Sequence, residues 1–317
     1  MAIINSVLGP VDTADLGFTL AHEHILVGPP GAFQDYPDLF GTNHMERVEE
    51  ALKRAKEGGV DTIVDVTTLD LGRDINLMVE ASRRSGVNII ACTGSWLHIS
   101  PFLACITVDR MTDVFVKDIE EGIGGTDIKA GLLKAASDIS GVTPVEEVML
   151  RAVARAHHKT GVPIAVHSYS PVQVGKWQLP ILKEEGVDPK RVKFDHSNDT
   201  TDIEYLTWLL EQGCYLGLDR YPGGIPVGPS SQARTKTLKA LIDAGYADRL
   251  CISHDWNTLH VIPCELGLTE EEILEINPFG YLYIKKVVFS QLREMGVTEE
   301  TLNRLCVDGP RNFFEGA

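Results

Sequence analysis

The chain has 317 residues, 44% of them hydrophobic, with a mean hydropathy of -0.02. That length accommodates one large α/β barrel or two ordinary domains around a sizeable core. A net charge of -16 and a pI near 5.0 argue against nucleic acid and anionic membranes as partners. No apolar run approaches the length of a membrane span. Met1–Gly17 lacks a basic segment followed by an apolar one, so no secretory signal and a cytoplasmic location are expected. Cys92, Cys105, Cys214, Cys251, Cys264 and Cys306 include no Cys-x-x-Cys pair, which reads as reduced thiols rather than a zinc finger.

Phe18–Ala21 is the first expected strand, ending at His22-Glu23-His24. A Pro/Gly-rich loop, Gly28–Gly31, leads to an amphipathic helix from about Asn43 to Gly58. Strands then alternate with helices: Thr62–Thr67 and Arg73–Gly86, Asn88–Thr93 and Asp109–Gly122, Lys129–Lys134 and Thr143–Thr160. Thr143 and Glu146 have the spacing of a capping box. The alternation continues with Pro163–His167 and Val172–Gly186, Arg191–His196 and Asp202–Gly213, and Cys214–Asp219 and Ser230–Gly245. Arg249–Ser253 is the eighth strand, and helices Gly280–Met295 and Glu299–Leu305 close the chain.

Several helices stop at a glycine, as C′ positions prefer (Gly58, Gly86, Gly161, Gly186, Gly213, Gly245). The strands are continuous apolar runs, the mark of a parallel sheet covered on both faces. Eight such βα units predict a (β/α)8 TIM barrel of the α/β class. With no linker or low-complexity stretch, residues 1–317 read as one domain.

In such a barrel the chemistry sits at the carboxyl ends of the strands. Those ends carry His22 and His24 on strand one, Lys134 on four, His167 on five, His196 on six and Asp255 after eight. His22 and His24 are two residues apart, so in extended chain both imidazoles face one point, and imidazole is the commonest metal ligand. Lys134 ends an apolar strand and would bury its amine at a cost unless partnered. His157 and His158 read as helix surface residues, while His44, His98, His254 and His260 fall in loops.

The segments Thr19–His24, Gly131–Lys134, Gly161–His167, His196–Thr200 and Ser253–Trp256 together resemble the phosphotriesterase family of the amidohydrolase superfamily, across nearly the whole chain. That family includes phosphotriesterases (aryldialkylphosphatases) and phosphotriesterase-like lactonases. The resemblance implies a centre of two divalent metals. His22, His24 and Asp255 would hold the buried ion, and His167 and His196 the exposed one. A carbamylated Lys134 and a hydroxide would bridge them. A plain ammonium between two cations would be repelled, whereas a carbamate is anionic and offers two oxygens. Mixed nitrogen and oxygen ligands suit zinc best, then cobalt, manganese or iron. Two such ions acidify the bridging water and polarise the attacked oxygen, and Asp255 would accept the proton.

Arg220-Tyr221 resembles the lactonases, while Trp96 and Trp256 resemble the phosphotriesterases. Arg220 would donate hydrogen bonds to substrate, and Trp96, Tyr221 and Trp256 would wall the pocket. The expectation is a hydrolase of small neutral lactones or phosphotriesters, working as a homodimer. Two readings compete with it: a phosphorylated sugar lactone as substrate, and a metal-binding barrel without catalysis.

Overall fold

Apolar strands that must hide both faces can do so by curling into a closed sheet wrapped in helices. The computed structural model describes residues 2–97, 99, 105–223, 228–260 and 270–317. An antiparallel hairpin comes first, β1 (Ile3–Ser6) and β2 (Gly9–Asp12). It is followed by β3 (Thr19–Val27), β4 (Thr62–Asp65), β5 (Asn88–Gly94), β6 (Leu132–Ser137), β7 (Ile164–Ser168) and β8 (Val192–Asp195). The last three are β9 (Tyr215–Leu218), β10 (Leu250–Ile252) and β11 (Asn257–His260).

From β3 onward all pairings are parallel, in the order β10-β9-β8-β7-β6-β5-β4-β3-β11. The two ends of that order, β10 and β11, are consecutive in the chain. They are one eighth strand broken at residues 253–256: its first part pairs with β9 and its second with β3. The break closes the sheet into the expected (β/α)8 barrel.

Helices His44–Glu57, Ile75–Ser85, Val108–Glu120, Pro144–Thr160, Gly175–Glu184, Ile203–Glu211 and Ser231–Asp243 cover it. The Thr143 capping box forms: its hydroxyl accepts from Glu146 N–H, and the Glu146 carboxylate accepts from Thr143 N–H at 2.8 Å. Several expectations change. The β1–β2 hairpin is additional, and the first strand continues through both histidines to Val27. The helix expected over 172–186 is a 3-10 turn, Ser170–Val172, followed by Gly175–Glu184. The segment expected as one helix over 280–295 divides into a 3-10 turn, a π-helical stretch and an α-helix. His157 is buried, its Nδ1 bonded to the Val162 carbonyl at 2.8 Å. His44 opens its helix, whereas His98 and Cys264 lie outside the described residues.

Strand alternation separates two apolar clusters. Ile63, Ile89, Leu133, Ile164, Val166, Phe194 and Leu216 face the helices. Val64, Ile90, Cys92, Leu132, Ala165, Tyr215 and Cys251 face the barrel interior, where Ile4 of the hairpin and Phe313 and Phe314 of the last helix join them. Higher along the same inward rows the residues turn polar: Leu132 gives way to Lys134, Ala165 to His167, Lys193 to Asp195, and Tyr215 to Gly217 and Asp219. On β3 the register shifts between Leu20 and Glu23. This bulge adds a residue, so His22 faces inward although Ala21 already does.

Gly217 occupies an inward position where a Cβ would lie 2.4 Å from Asp219 Oδ2 and 2.9 Å from Asp195 Oδ1. Gly217→Ala should therefore destabilise the fold by about 1–3 kcal/mol, as overpacking does. Urea unfolding of the two proteins tests this, and an unchanged midpoint would show that the carboxylates can move aside.

Candidate metal centre

The break in the eighth strand delivers Asp255 to the barrel mouth with a left-handed φ of 55°. Glu23 braces it. One Glu23 oxygen accepts from Ser253 Oγ and His254 Nδ1, both at 2.6 Å, and from His254 N at 3.0 Å; the other accepts from Trp256 N at 2.9 Å. His254 Nε2 in turn accepts from Ile284 N at 3.1 Å. His254, expected in an uncommitted loop, is thus a buried strut.

Asp255 Oδ1 lies 3.1 Å from His22 Nε2 and 3.0 Å from His24 Nε2. A tetrahedral shell with bonds near 2.1 Å has ligand atoms about 3.4 Å apart, so these three atoms need only slight spreading to hold a divalent cation. The outer face of His24 is prepared for it. The Thr67 hydroxyl donates to the Leu26 carbonyl at 3.2 Å, so it accepts from His24 Nδ1–H at 2.8 Å. That assigns the proton to Nδ1 and turns the Nε2 lone pair inward.

His167, His196 and Lys134 lie beside this trio. The rings of His196 and His167 are 4.4 Å apart, and those of His196 and His22 4.8 Å. His196 follows inward Asp195 and would point outward, but its left-handed φ of 60° returns the ring to the interior. Its backbone N–H at 2.8 Å and its Nδ1 at 3.0 Å both donate to Asp219 Oδ1. His22, His196 and Asp219 form a second group of converging ligand atoms. Lys134 Nζ is ion-paired with Asp195, whose other oxygen is paired with Lys193 Nζ.

The burial of so many charges reshapes their acidities. Burial and the Lys134 ammonium work against a charged His22, yet Asp219, Asp195 and Asp255 push its pKa up to about 10. Burial, then His196 and Arg220, hold His167 well below its ordinary value, and burial with Arg220 lowers His196. Burial opposes ionisation of Asp255, but His22 and His24 hold it well below the usual carboxylate range. Asp195 is held well below that range against burial by Lys134 and Lys193, and Asp219 is lowered against burial by His22 and His196.

Arg220 reaches the mouth with one third of its side chain exposed. Its Nε donates to Asp255 Oδ2 at 3.0 Å and its Nη1 to Asp199 Oδ2 at 2.5 Å. Asp199 also holds buried Arg234 at 2.8 Å. Trp96 lies against His167, its indole N–H donating to His167 Nδ1 at 3.2 Å. Trp256 is half-buried and packs on the core beside β11. Tyr221, which the resemblance puts in the pocket wall, is 1% exposed and packs in the layer under the helices.

Sequence reasoning passed over Lys193, Asp195, Asp219 and Glu23. The signal for the first three was their inward parity, since Lys193 and Asp195 alternate with Val192 and Phe194 of the outer layer, and Asp219 shares the parity of interior Tyr215. Glu23 was legible only through the bulge.

A family model described as the phosphotriesterase family matches residues 2–314. The phosphotriesterase homology protein of Mycobacterium tuberculosis (strain ATCC 25618 / H37Rv) is 39% identical, over 99% of this chain and 98% of its own. The aryldialkylphosphatase of Saccharolobus solfataricus is 36% identical over 96% of each chain. An N-acetyltaurine hydrolase of Xenopus tropicalis is 27% identical over 98% of this chain and 97% of its own. Among solved structures, the phosphotriesterase from Mycobacterium tuberculosis superposes with a TM-score of 0.91 at 38% identity, covering 99% of this chain and 98% of that one.

The acidities make metal-stripped protein pH-sensitive. His22 has its pKa raised from 6.5 to about 10 in the fold, so its stabilisation is complete below pH 6.5 and is lost as pH rises through about 10. Asp195, Asp219 and Asp255 are depressed, so theirs is present above the usual carboxylate range and is lost on acidification. The urea midpoint of chelator-treated protein should therefore fall between pH 7 and pH 10, and His22→Gln should flatten that fall. An equal slope in both proteins would remove His22 as its source.

Proposed function

The chain belongs to the phosphotriesterase family of hydrolases, and we propose that it is a binuclear metal-dependent hydrolase of lactones, aryl phosphotriesters or both. In this reading residues 1–317 act as one domain. The observation that carries it is the meeting of His22 Nε2 and His24 Nε2 at Asp255 Oδ1, 3.1 and 3.0 Å from it, with the outer nitrogen of His24 already braced. His22, His24 and Asp255 would hold one ion and His167 and His196 the other, with a carbamylated Lys134 shared between the two. Zinc suits this donor set, with cobalt, manganese or iron as substitutes. Two divalent ions there would supply a nucleophile at neutral pH and polarise the attacked carbonyl or phosphoryl oxygen.

The chain's own groups do the rest. Asp255 takes the proton released during attack, on the oxygen that faces Arg220 rather than the imidazoles. Arg220 cannot accept that proton, because a guanidinium stays charged. Its Nε and Nη1 contacts leave further N–H groups to donate to a substrate oxygen, and its partial exposure keeps them within reach. Trp96, beside His167, walls the pocket and restricts water. The match to an aryldialkylphosphatase supports an organophosphate substrate, and Arg220 supports a lactone.

A parallel screen of lactones, aryl phosphotriesters and N-acyl amides with metal-reconstituted protein tests the proposal. Hydrolysis of the first or second class is expected; activity confined to amides would overturn the substrate assignment. Arg220→His should lower kcat/KM for a lactone at least about tenfold, as loss of a donor to developing charge does, and spare an aryl phosphotriester. Equal losses on both would make Arg220 a brace for Asp255 and nothing more.

Lys134→Ala should lose activity and one of two bound metals. Elemental analysis of wild-type protein reconstituted with bicarbonate should find two divalent ions per chain. One or fewer would overturn the binuclear reading.

A further inference from the structure

The imidazoles of the centre are not equally ready to bind a cation. His24 and His196 each have Nδ1 committed outward, to Thr67 Oγ1 and to Asp219 Oδ1, which leaves an Nε2 lone pair facing inward. His167 has the opposite arrangement. An indole N–H can only donate, so His167 Nδ1 must be the acceptor of the 3.2 Å bond from Trp96. An imidazole that accepts at Nδ1 carries its proton on Nε2. Neither ring nitrogen of His167 then presents a lone pair to a metal.

Trp96 is held in that pose from behind. Its backbone N–H donates to both oxygens of Asp70, at 3.0 and 2.9 Å, and Asp70 is buried and also accepts from the Thr68 hydroxyl at 2.6 Å. The indole meets the His167 ring edge-on, with centroids 5.9 Å apart. Trp96 is only half-buried, and it is the backbone rather than the indole that Asp70 anchors. Lys134, the other expected ligand of the second ion, is likewise engaged elsewhere, by Asp195. The first trio has no competing side chain at its two Nε2 atoms, which already face one carboxylate oxygen; an arriving cation there displaces only the proton of His22.

We propose that Trp96 is a latch on the second metal site: its indole N–H occupies His167 Nδ1 and must release it before the second cation is held. Loading is then ordered. The first ion enters at His22, His24 and Asp255 with the latch closed, and the second binds more weakly because it must displace the indole. The proposal rests on the binuclear reading above and adds to it which residue sets the affinity difference.

The test is a titration of chelator-treated full-length wild-type and Trp96→Phe proteins with cobalt(II) chloride in bicarbonate buffer. Bound metal is counted by elemental analysis, and tryptophan fluorescence is followed in parallel. Phenylalanine keeps the ring and removes the N–H. Wild type should show two unequal classes of site, with the fluorescence step at the second equivalent. Trp96→Phe should leave the first class within about twofold, tighten the second about three- to tenfold, as removal of one competing neutral hydrogen bond would, and lack the fluorescence step. An unchanged or weaker second class in Trp96→Phe would overturn the latch. So would a wild-type fluorescence step complete at the first equivalent, a readout that decides the matter even if the variant does not fold. Wild-type protein that takes up no cobalt would overturn the metal reading itself, which separates the two failures.

Discussion

Closure of the barrel across the broken eighth strand is the constraint on which the rest depends. β10 can complete its pairing with β9, and β11 with β3, only if the chain between them turns sharply, and that turn carries Asp255. Backbone bonds stitch the seam: His24 N–H to the Trp256 carbonyl at 2.8 Å, and Asp255 N–H to the His22 carbonyl at 3.2 Å. The two histidines and the aspartate are therefore fixed to each other by the hydrogen bonds that close the sheet. Glu23, between the histidines but on the opposite face, ties down Ser253, His254 and Trp256. A set of candidate ligands held this way would need little reorganisation to take an ion, the condition for a precise metal site.

The second constraint is charge in a dry interior. Lys134, Lys193, Asp195 and Asp219 are at most 2% exposed, around a His22 that burial would otherwise keep neutral. Buried ions are tolerated only when paired and hydrogen-bonded, and here they are paired in a chain. Lys193 and Lys134 share Asp195; His22 faces both Asp195 and Asp219; and Asp219 holds His196. Removing one member leaves a neighbour uncompensated, so the ring behaves as a unit. A cation held at the mouth would enter this circuit as a replacement for the positive charge on His22. Metal occupancy and fold stability would for that reason be linked through the same residues.

Much of this was legible in the sequence because it depends on local rules. Apolar runs with turn residues at their ends marked the strands, and glycines marked the helix stops. The barrel rule then put His22, His24, Lys134, His167, His196 and Asp255 at one rim, and the structure brings all six to it. The pairings at that rim were a different matter. Lys134 was recognised as a buried amine in need of a partner, but the partner, Asp195, sits two strands away. Tyr221, one residue beyond Arg220, packs in the layer under the helices while Arg220 is one third exposed, a difference that adjacency in the chain does not reveal.

What the sequence determined by itself was the set of chemical groups and the strand ends that carry them, since period-two alternation and burial are written into neighbouring residues. Tertiary structure decided how those groups are oriented. The bulge on β3 turns His22 inward, left-handed backbone at His196 and Asp255 reverses the direction their strands would give, and Gly217 leaves room for two carboxylates. Which imidazole nitrogen is already engaged was decided there too, by Thr67 for His24, Asp219 for His196 and Trp96 for His167. The physical reason is that direction depends on contacts between residues far apart in the chain. A hydrogen bond that fixes a tautomer, or a shift in register that flips a face, arises only when the sheet has closed and its strands lie side by side.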